Sequence, residues 1–233
     1  SLSNVNIQGQ DFTGALAGFM SSTNGTDVTK VFSSGQVQGR NYVGGIAGSH
    51  GGAMHSLTNS YSTANVSGTS YIGGLAGNDG STGIEYSYAT GTVTGTDHVG
   101  GLAGQYNGIG GLSYSYSTGA VSGSSSVGGL VGAVDPGGSV SNSFYDSTTS
   151  GQLDDDGRGT PKTTQQMSQE GTFTGWTFTR SGTGGDSDRW IMAGYPHLQV
   201  EWSTTITTLA QIQMMALDID AAYTVANNIS ASG

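Results

Sequence analysis

One six-residue block recurs five times: TGALAG at 13–18, VGGIAG at 43–48, IGGLAG at 72–77, VGGLAG at 99–104 and VGGLVG at 127–132. Its fourth residues are Leu16, Ile46, Leu75, Leu102 and Leu130, so the period runs 30, 29, 27 and 28 residues. A near-constant period of this size marks a single supersecondary unit that is copied along the chain. Such a unit buries too little alone and gains a core only by stacking on its neighbours.

The rest of the unit repeats as well. A V-x-G element precedes each block, at Ile7–Gly9, Val37–Gly39, Val66–Gly68, Val93–Gly95 and Val121–Gly123. An S-Y-type element follows it, carrying Phe32, Tyr61, Tyr88, Tyr116 and Phe144, each with an aliphatic residue four positions earlier. Length variation falls between the Gly-rich block and this element, where a surface loop belongs.

Short β-branched stretches broken by glycine read as strands of a β-solenoid, one turn per repeat, with neighbouring turns about 4.8 Å apart. The expected fold is all-β, about five turns over residues 1–146, followed by a small mixed closing segment over 147–205. Gly44, Gly45, Gly73, Gly74, Gly100, Gly101, Gly128 and Gly129 mark corners that need either a positive φ or close backbone approach. With 42 Gly, 32 Ser and 28 Thr the chain has little conventional core. Its aligned aliphatic positions still distinguish it from a Gly/Ser linker.

Counting by twos from Val66 puts Ala64, Ser62 and Ser60 inside and Tyr61 opposite; from Val93, Ala89 and Ser87 fall inside and Tyr88 opposite. This reading makes Phe32, Tyr61, Tyr88, Tyr116 and Phe144 an outward ladder and a candidate binding surface. A bend near Thr63 or Thr90 would exchange the faces. Stacking between turns is the alternative role of the same rings.

The blocks VGGIAG, IGGLAG, VGGLAG and VGGLVG, each followed by a stretch like SYSTANVSG, resemble the GLUG motif of large bacterial surface and secreted proteins, filamentous-haemagglutinin-like adhesins among them. The first copy departs most, with Gly14-Ala15 in place of Gly-Gly. FYDSTTSGQ at 144–152, TTQQM at 163–167, Trp176, Trp190 and GYPHL at 194–198 resemble the segment that closes such a block. Residues 206–233 read as a helix, with Thr208 and Gln211 in capping-box positions, leading into a strand at Tyr223 and Val225. They resemble the opening of a following block. The resemblance implies a window of a longer exported chain, located outside the cell or on the bacterial surface, with neighbouring repeat blocks of the same parent chain as partners.

The net charge of −10 with six Lys and Arg excludes a phosphate-binding surface, and so a nucleic-acid partner. No apolar run is long enough to insert in a membrane. Zero Cys removes disulfides and thiolate chemistry. Neither H-E-x-x-H nor G-x-S-x-G occurs, so the zinc peptidase activity of some GLUG-bearing proteins is not encoded here. Acidic residues of the repeats fall at different positions of different turns, which forces no catalytic pair together. Asp154, Asp155 and Asp156 form the densest acidic cluster and could hold Ca²⁺ weakly, although their spacing does not match an EF-hand loop. No other cofactor is expected. TGTVTGT at 90–96 has the T-x-T look of an ice-binding array, but the equivalent stretches do not keep it. Trp176, Trp190, Trp202, Phe173 and Phe178 are expected to form the core of the closing segment. The function expected from sequence is a non-catalytic module of a surface adhesin, a stiff stalk and weak multivalent binder of host or environmental glycan or matrix. A polysaccharide-degrading β-helix enzyme is the alternative.

Overall fold

The structure, a computed structural model, describes residues 1–21, 27–52, 56–153, 156, 158–179 and 189–229. Residues 1–164 and 165–233 form two compact units. The first is a parallel β-solenoid. Three of its faces are sheets of five strands, one strand from each turn. The first of these stacks Asp11–Gly14, Asn41–Gly44, Ser70–Gly73, Asp97–Gly100 and Ser125–Gly128. Val43, Ile72, Val99 and Val127 occupy one column without a register shift. The second face starts at Ala17, Ala47, Ala76, Ala103 and Val131, and the third carries Val28, Leu57, Ile84, Leu112 and Val140.

The fourth face is one sheet of ten strands. Phe32–Gln38 is a single long strand, whereas each later turn splits it in two. Tyr61–Ser62 pairs with one end of it and Asn65–Ser67 with the other. The solenoid does not stop at residue 146 as expected from sequence. Thr160–Lys162 pairs in parallel with Phe144–Asp146 and adds one more strand. Asp146, fully buried, holds that junction: its carboxylate accepts from the backbone of Thr148 and Thr149 and from the Thr164 hydroxyl.

Stacked aliphatic columns fill the interior in two clusters. Ile46, Leu75, Leu102 and Leu130 lie in one, and Val37, Val66, Val93 and Val121 in the other. Complete burial of each such side chain contributes about 1.5–3 kcal/mol. Between the clusters the cross-section is pinched by the Gly-Gly pairs. A Cβ on Gly45 would lie 2.1 Å from the Ser62 hydroxyl and 2.2 Å from the Gly74 carbonyl. At Gly74 and Gly101 it would meet Ala89 and Ser117 in the same way. A Cβ on Gly44, Gly73 or Gly100 would run into the carbonyl of Ala47, Ala76 or Ala103. None of the eight corner glycines takes a positive φ. Close approach, not turn conformation, is what excludes a side chain there.

A serine column ties the turns at the opposite corner. Ser60, Ser87, Ser115 and Ser143 each donate to the carbonyl two residues earlier, all at 2.8 Å. Each also accepts from a backbone amide of the preceding turn: Val31, Ser60, Ser87 and Ser115 respectively. These polar groups are buried and satisfied, which is the condition for polar residues inside a core this thin.

In the second unit, Trp190–Ala193 and Tyr195–Leu198 pair antiparallel through Gly194, whose φ of 81° suits the tight reversal. Trp176 stacks on Trp190 at 4.3 Å and adjoins Phe173 and Phe178. The expected helix is Leu209–Met214, with the capping box of Thr208 and Gln211 formed. Thr224–Val225 follows as a strand paired with Thr205–Ile206.

Candidate functional site

The ladder expected from sequence exists, but three of its five rings are not on the surface. Phe32, Tyr61, Tyr88 and Tyr116 stack face to face at 4.5, 4.8 and 4.9 Å, and Phe144 continues the column in register. Tyr88, Tyr116 and Phe144 retain 2%, 0% and 5% exposure, while Phe32 and Tyr61 are half-buried. The parity was sound, since Ser60, Ser62, Ala64, Ser87 and Ala89 all lie inside. Alternation assigns a side chain to one face of a strand. It does not say what covers that face, and here Lys162 spans the Phe144 ring at 6.0 Å. The outward binding ladder is therefore corrected to a largely buried column that braces the turns.

An accessible ladder lies elsewhere. Phe12, Tyr42 and Tyr71 stack at 4.7 and 4.6 Å, His98 continues the column at 4.6 Å with its ring tilted by 36°, and the Phe19 ring meets Phe12 edge-on. Phe12 and Phe19 are exposed; Tyr42, Tyr71 and His98 are half-buried. All four residues of this column, with Ser126 in the fifth turn, have φ between 49° and 60°. That left-handed conformation is uncommon for bulky residues and turns each side chain out of the strand's alternation. A second left-handed column holds Lys30, Asn59, Tyr86, Tyr114 and Asn142, in which Tyr86 and Tyr114 stack at 5.0 Å. The signal in the sequence was an aromatic or His two residues before the first corner glycine in four of the five copies. Because the ring faces are used up by stacking, this strip offers edges and hydroxyls rather than an open platform for a sugar ring.

Beside the strip lies a polar corner. Asn41 and Arg40 both donate to Asp11, and the Arg40 guanidinium holds the Asp11 carboxyl below the usual carboxylate range. Asp97 bonds His98 at 2.7 Å. Around that corner, on the outer side of the fourth face, runs a shallow groove of about 270 Å³ lined by Gln36, Gln38, Asn65, Ser67, Thr92 and Thr94 with Val37 and Val66 at its floor. The Thr pair singled out in the sequence thus lies in a groove with amides.

One buried titratable row remains. His50, Asp79 and Tyr106 occupy one column of the second face, all at 0% exposure, with His50 Nδ1 2.7 Å from Asp79 Oδ1. Burial, reinforced by the Asp79 charge, pushes the Tyr106 hydroxyl up to about 12. This row is sealed from substrate and is part of the core. Of the acidic cluster weighed for Ca²⁺, Asp154 and Asp155 lie outside the described residues. Asp156 is exposed, 3.9 Å from Arg158. Among the described residues no three His, Asp or Glu side chains gather to hold a metal.

Residues 68–94 match the family model of the GLUG motif. That stretch is one complete circuit of the solenoid, from the glycine after Val66 to the residue after Val93. One turn of the parallel β-solenoid formed by the first unit therefore carries this motif. A crystal structure described as that of a candidate immunoglobulin A1 protease from Bacteroides ovatus is similar in fold, with a TM-score of 0.57 and 19% identity over 82% of this chain and 74% of that one. No curated protein matches the chain. Among the described residues, no helix is long and apolar enough to cross a membrane.

Proposed function

We propose that this chain is a non-catalytic repeat module of an exported bacterial surface protein. It acts as a stiff spacer and as a weak, multivalent binder of glycan or matrix. The observation that carries the reading is the unbroken register of the first three faces through five turns, which makes the exposed surface a rigid lattice. A group repeated on that lattice is presented about every 4.8 Å, so individually weak contacts add through effective concentration. The GLUG match and the fold support an extracellular repeat module. The acidic balance suits a partner reached by hydrogen bonding and shape, not by charge attraction.

The test is a screen of glycans and matrix proteins, with and without Ca²⁺, against the chain as a monomer and coupled densely to beads. Binding by coated beads, weak or undetectable for the monomer, is the expected result. Beads that bind nothing would sink the adhesive reading. A second reading, degradation, is raised by the description of the Bacteroides relative. Release of unsaturated products from uronate polymers, or of fragments from immunoglobulin A1, would overturn the non-catalytic assignment.

A further inference from the structure

The outer side of the fourth face carries two files of side chains in register across the turns. One contains Asn6, Gln36, Asn65 and Thr92, and the other Gln8, Gln38, Ser67, Thr94 and Ser122. Between them runs the column of Ile7, Val37, Val66, Val93 and Val121, which points inward and sets the files apart. Through the fourth turn every member of both files is an amide or a hydroxyl; in the fifth turn Ala120 ends the first file and Ser122 continues the second. None is charged, in a chain with 16 acidic and six basic residues.

Three further observations distinguish this face from ordinary solvated surface. It is concave, holding the groove of about 270 Å³ across three turns. Its side chains are partly fixed: the Asn65 carbonyl accepts from the Thr92 amide at 3.0 Å, and Ser122 reaches Thr94 at 3.3 Å. The basic group at its border is already paired: Arg40, which lines the adjoining depression with Gln8, Gln10 and Gln38, is held by Asp11 at 2.5 Å.

We infer that this groove binds an extended, uncharged polysaccharide strand running across the turns, its hydroxyls exchanging hydrogen bonds with the two files; this rests on the reading of the module as a glycan binder. The amides and hydroxyls both donate and accept, as sugar hydroxyls do, so either partner can satisfy the other. The spacing between turns, about 4.8 Å, is close to the rise of one hexose along an extended β-linked chain. An anionic polymer would meet no cation in the groove and a negative field from the rest of the chain. A flat water lattice is disfavoured by the concavity and by the change from long amides in the early turns to short hydroxyls in the later ones.

The test is calorimetric titration of the whole chain with cellohexaose and laminarihexaose as neutral probes and an oligogalacturonate of equal length as the anionic one. Three variants are compared, each confirmed folded by its unfolding temperature: Gln38→Ala/Ser67→Ala/Thr94→Ala, the single exposed change Thr94→Glu, and Tyr42→Ser/Tyr71→Ser on the aromatic strip. The expected result is neutral-probe affinity that is insensitive to salt and weakened by about tenfold or more in both groove variants. The strip variant should bind as the parent does. Affinity lost in the strip variant and kept in the groove variants would remove the groove while leaving the glycan-binding module standing. Failure of both neutral probes to bind, or tighter binding of the oligogalacturonate, would overturn the inference. So would thermal hysteresis that depends on Thr92 and Thr94.

Discussion

The Ser117 hydroxyl donates to the Gly129 carbonyl at 2.6 Å, across the waist where the Gly-Gly corner of one strand meets the fourth face. Ser33 makes the same bond to Gly45 at 2.7 Å. The glycine pair is therefore one half of a contact whose other half lies about a dozen residues away. Adding a methyl at Gly101 would place it 2.1 Å from the Gly129 carbonyl and 2.7 Å from the Ser117 hydroxyl. Gly101→Ala is expected to cost about 3 kcal/mol or more, since the obstruction is backbone and cannot swing away. Gly51→Ala, where nothing lies within 4 Å, should change stability by less than about 0.5 kcal/mol. Urea unfolding of the two variants checks the contrast.

Ser87 is the clearest single link between turns. Its hydroxyl accepts from the Ser60 amide at 3.2 Å and donates to the Glu85 carbonyl at 2.8 Å. Ser87→Ala leaves a buried amide without that partner, which costs about 1–3 kcal/mol. Ser122→Ala, on the exposed face, should stay within about 0.5 kcal/mol. Chemical denaturation of both variants, run side by side, reads the difference.

At Tyr71 the left-handed backbone, φ 60°, opposes the gain from stacking on Tyr42 and His98. Both Tyr71→Ala and Tyr71→Gly lose the rings, at about 0.5–1.5 kcal/mol for each contact. Only glycine is freed of the backbone penalty. That relief, about 1–2 kcal/mol, exceeds the extra chain entropy glycine brings, about 0.5–1 kcal/mol. Tyr71→Gly should therefore be the more stable variant, and a lower melting temperature for glycine than for alanine would refute the assignment.

Tyr106 makes the solenoid alkali-sensitive. Its hydroxyl is raised from an ordinary value near 10 to about 12, by burial first and by Asp79 second. Between those two pH values the unfolded chain releases the proton and the folded one keeps it. Stability is thus fully present below pH 10 and falls as pH rises toward 12. Tyr106→Phe should flatten this part of the stability profile, measured by denaturant titration at successive pH values. An unchanged slope would show that other groups carry it.

The repeat, the strand parity and the corner glycines were legible because each is a covalent pattern with one geometric consequence. Valine at Val37, Val66 and Val93 can only face inward if the turns stack, and Ser62 follows by alternation. Exposure of Tyr88 and Tyr116 was not legible, because parity names a face and not what covers it. The exposed strip was missed for a different reason. Tyr42, Tyr71 and His98 sit in a backbone conformation that sequence reading reserves for Gly, Asn and Asp. The groove was half visible: Thr92 and Thr94 stood out, but their amide neighbours Gln36, Gln38 and Asn65 come from two other turns and gained meaning only in register. The paired strand Thr160–Lys162 carried no repeat signature, so the end of the solenoid was placed too early.

The central proposal, that each repeat unit is one interchangeable turn of a stiff spacer, is tested most directly by excising residues 68–94. Ser67 and Thr94 are register partners, so joining Ser67 to Gly95 returns the chain to the same column. Asp97–Gly100 would then stack on Asn41–Gly44, where Ser70–Gly73 stood. The measurement is small-angle scattering of the excised and parent chains together with their unfolding curves. The account predicts a folded, cooperative protein about 5 Å shorter along the solenoid. An unfolded or aggregated product, or one with unchanged length, would contradict it.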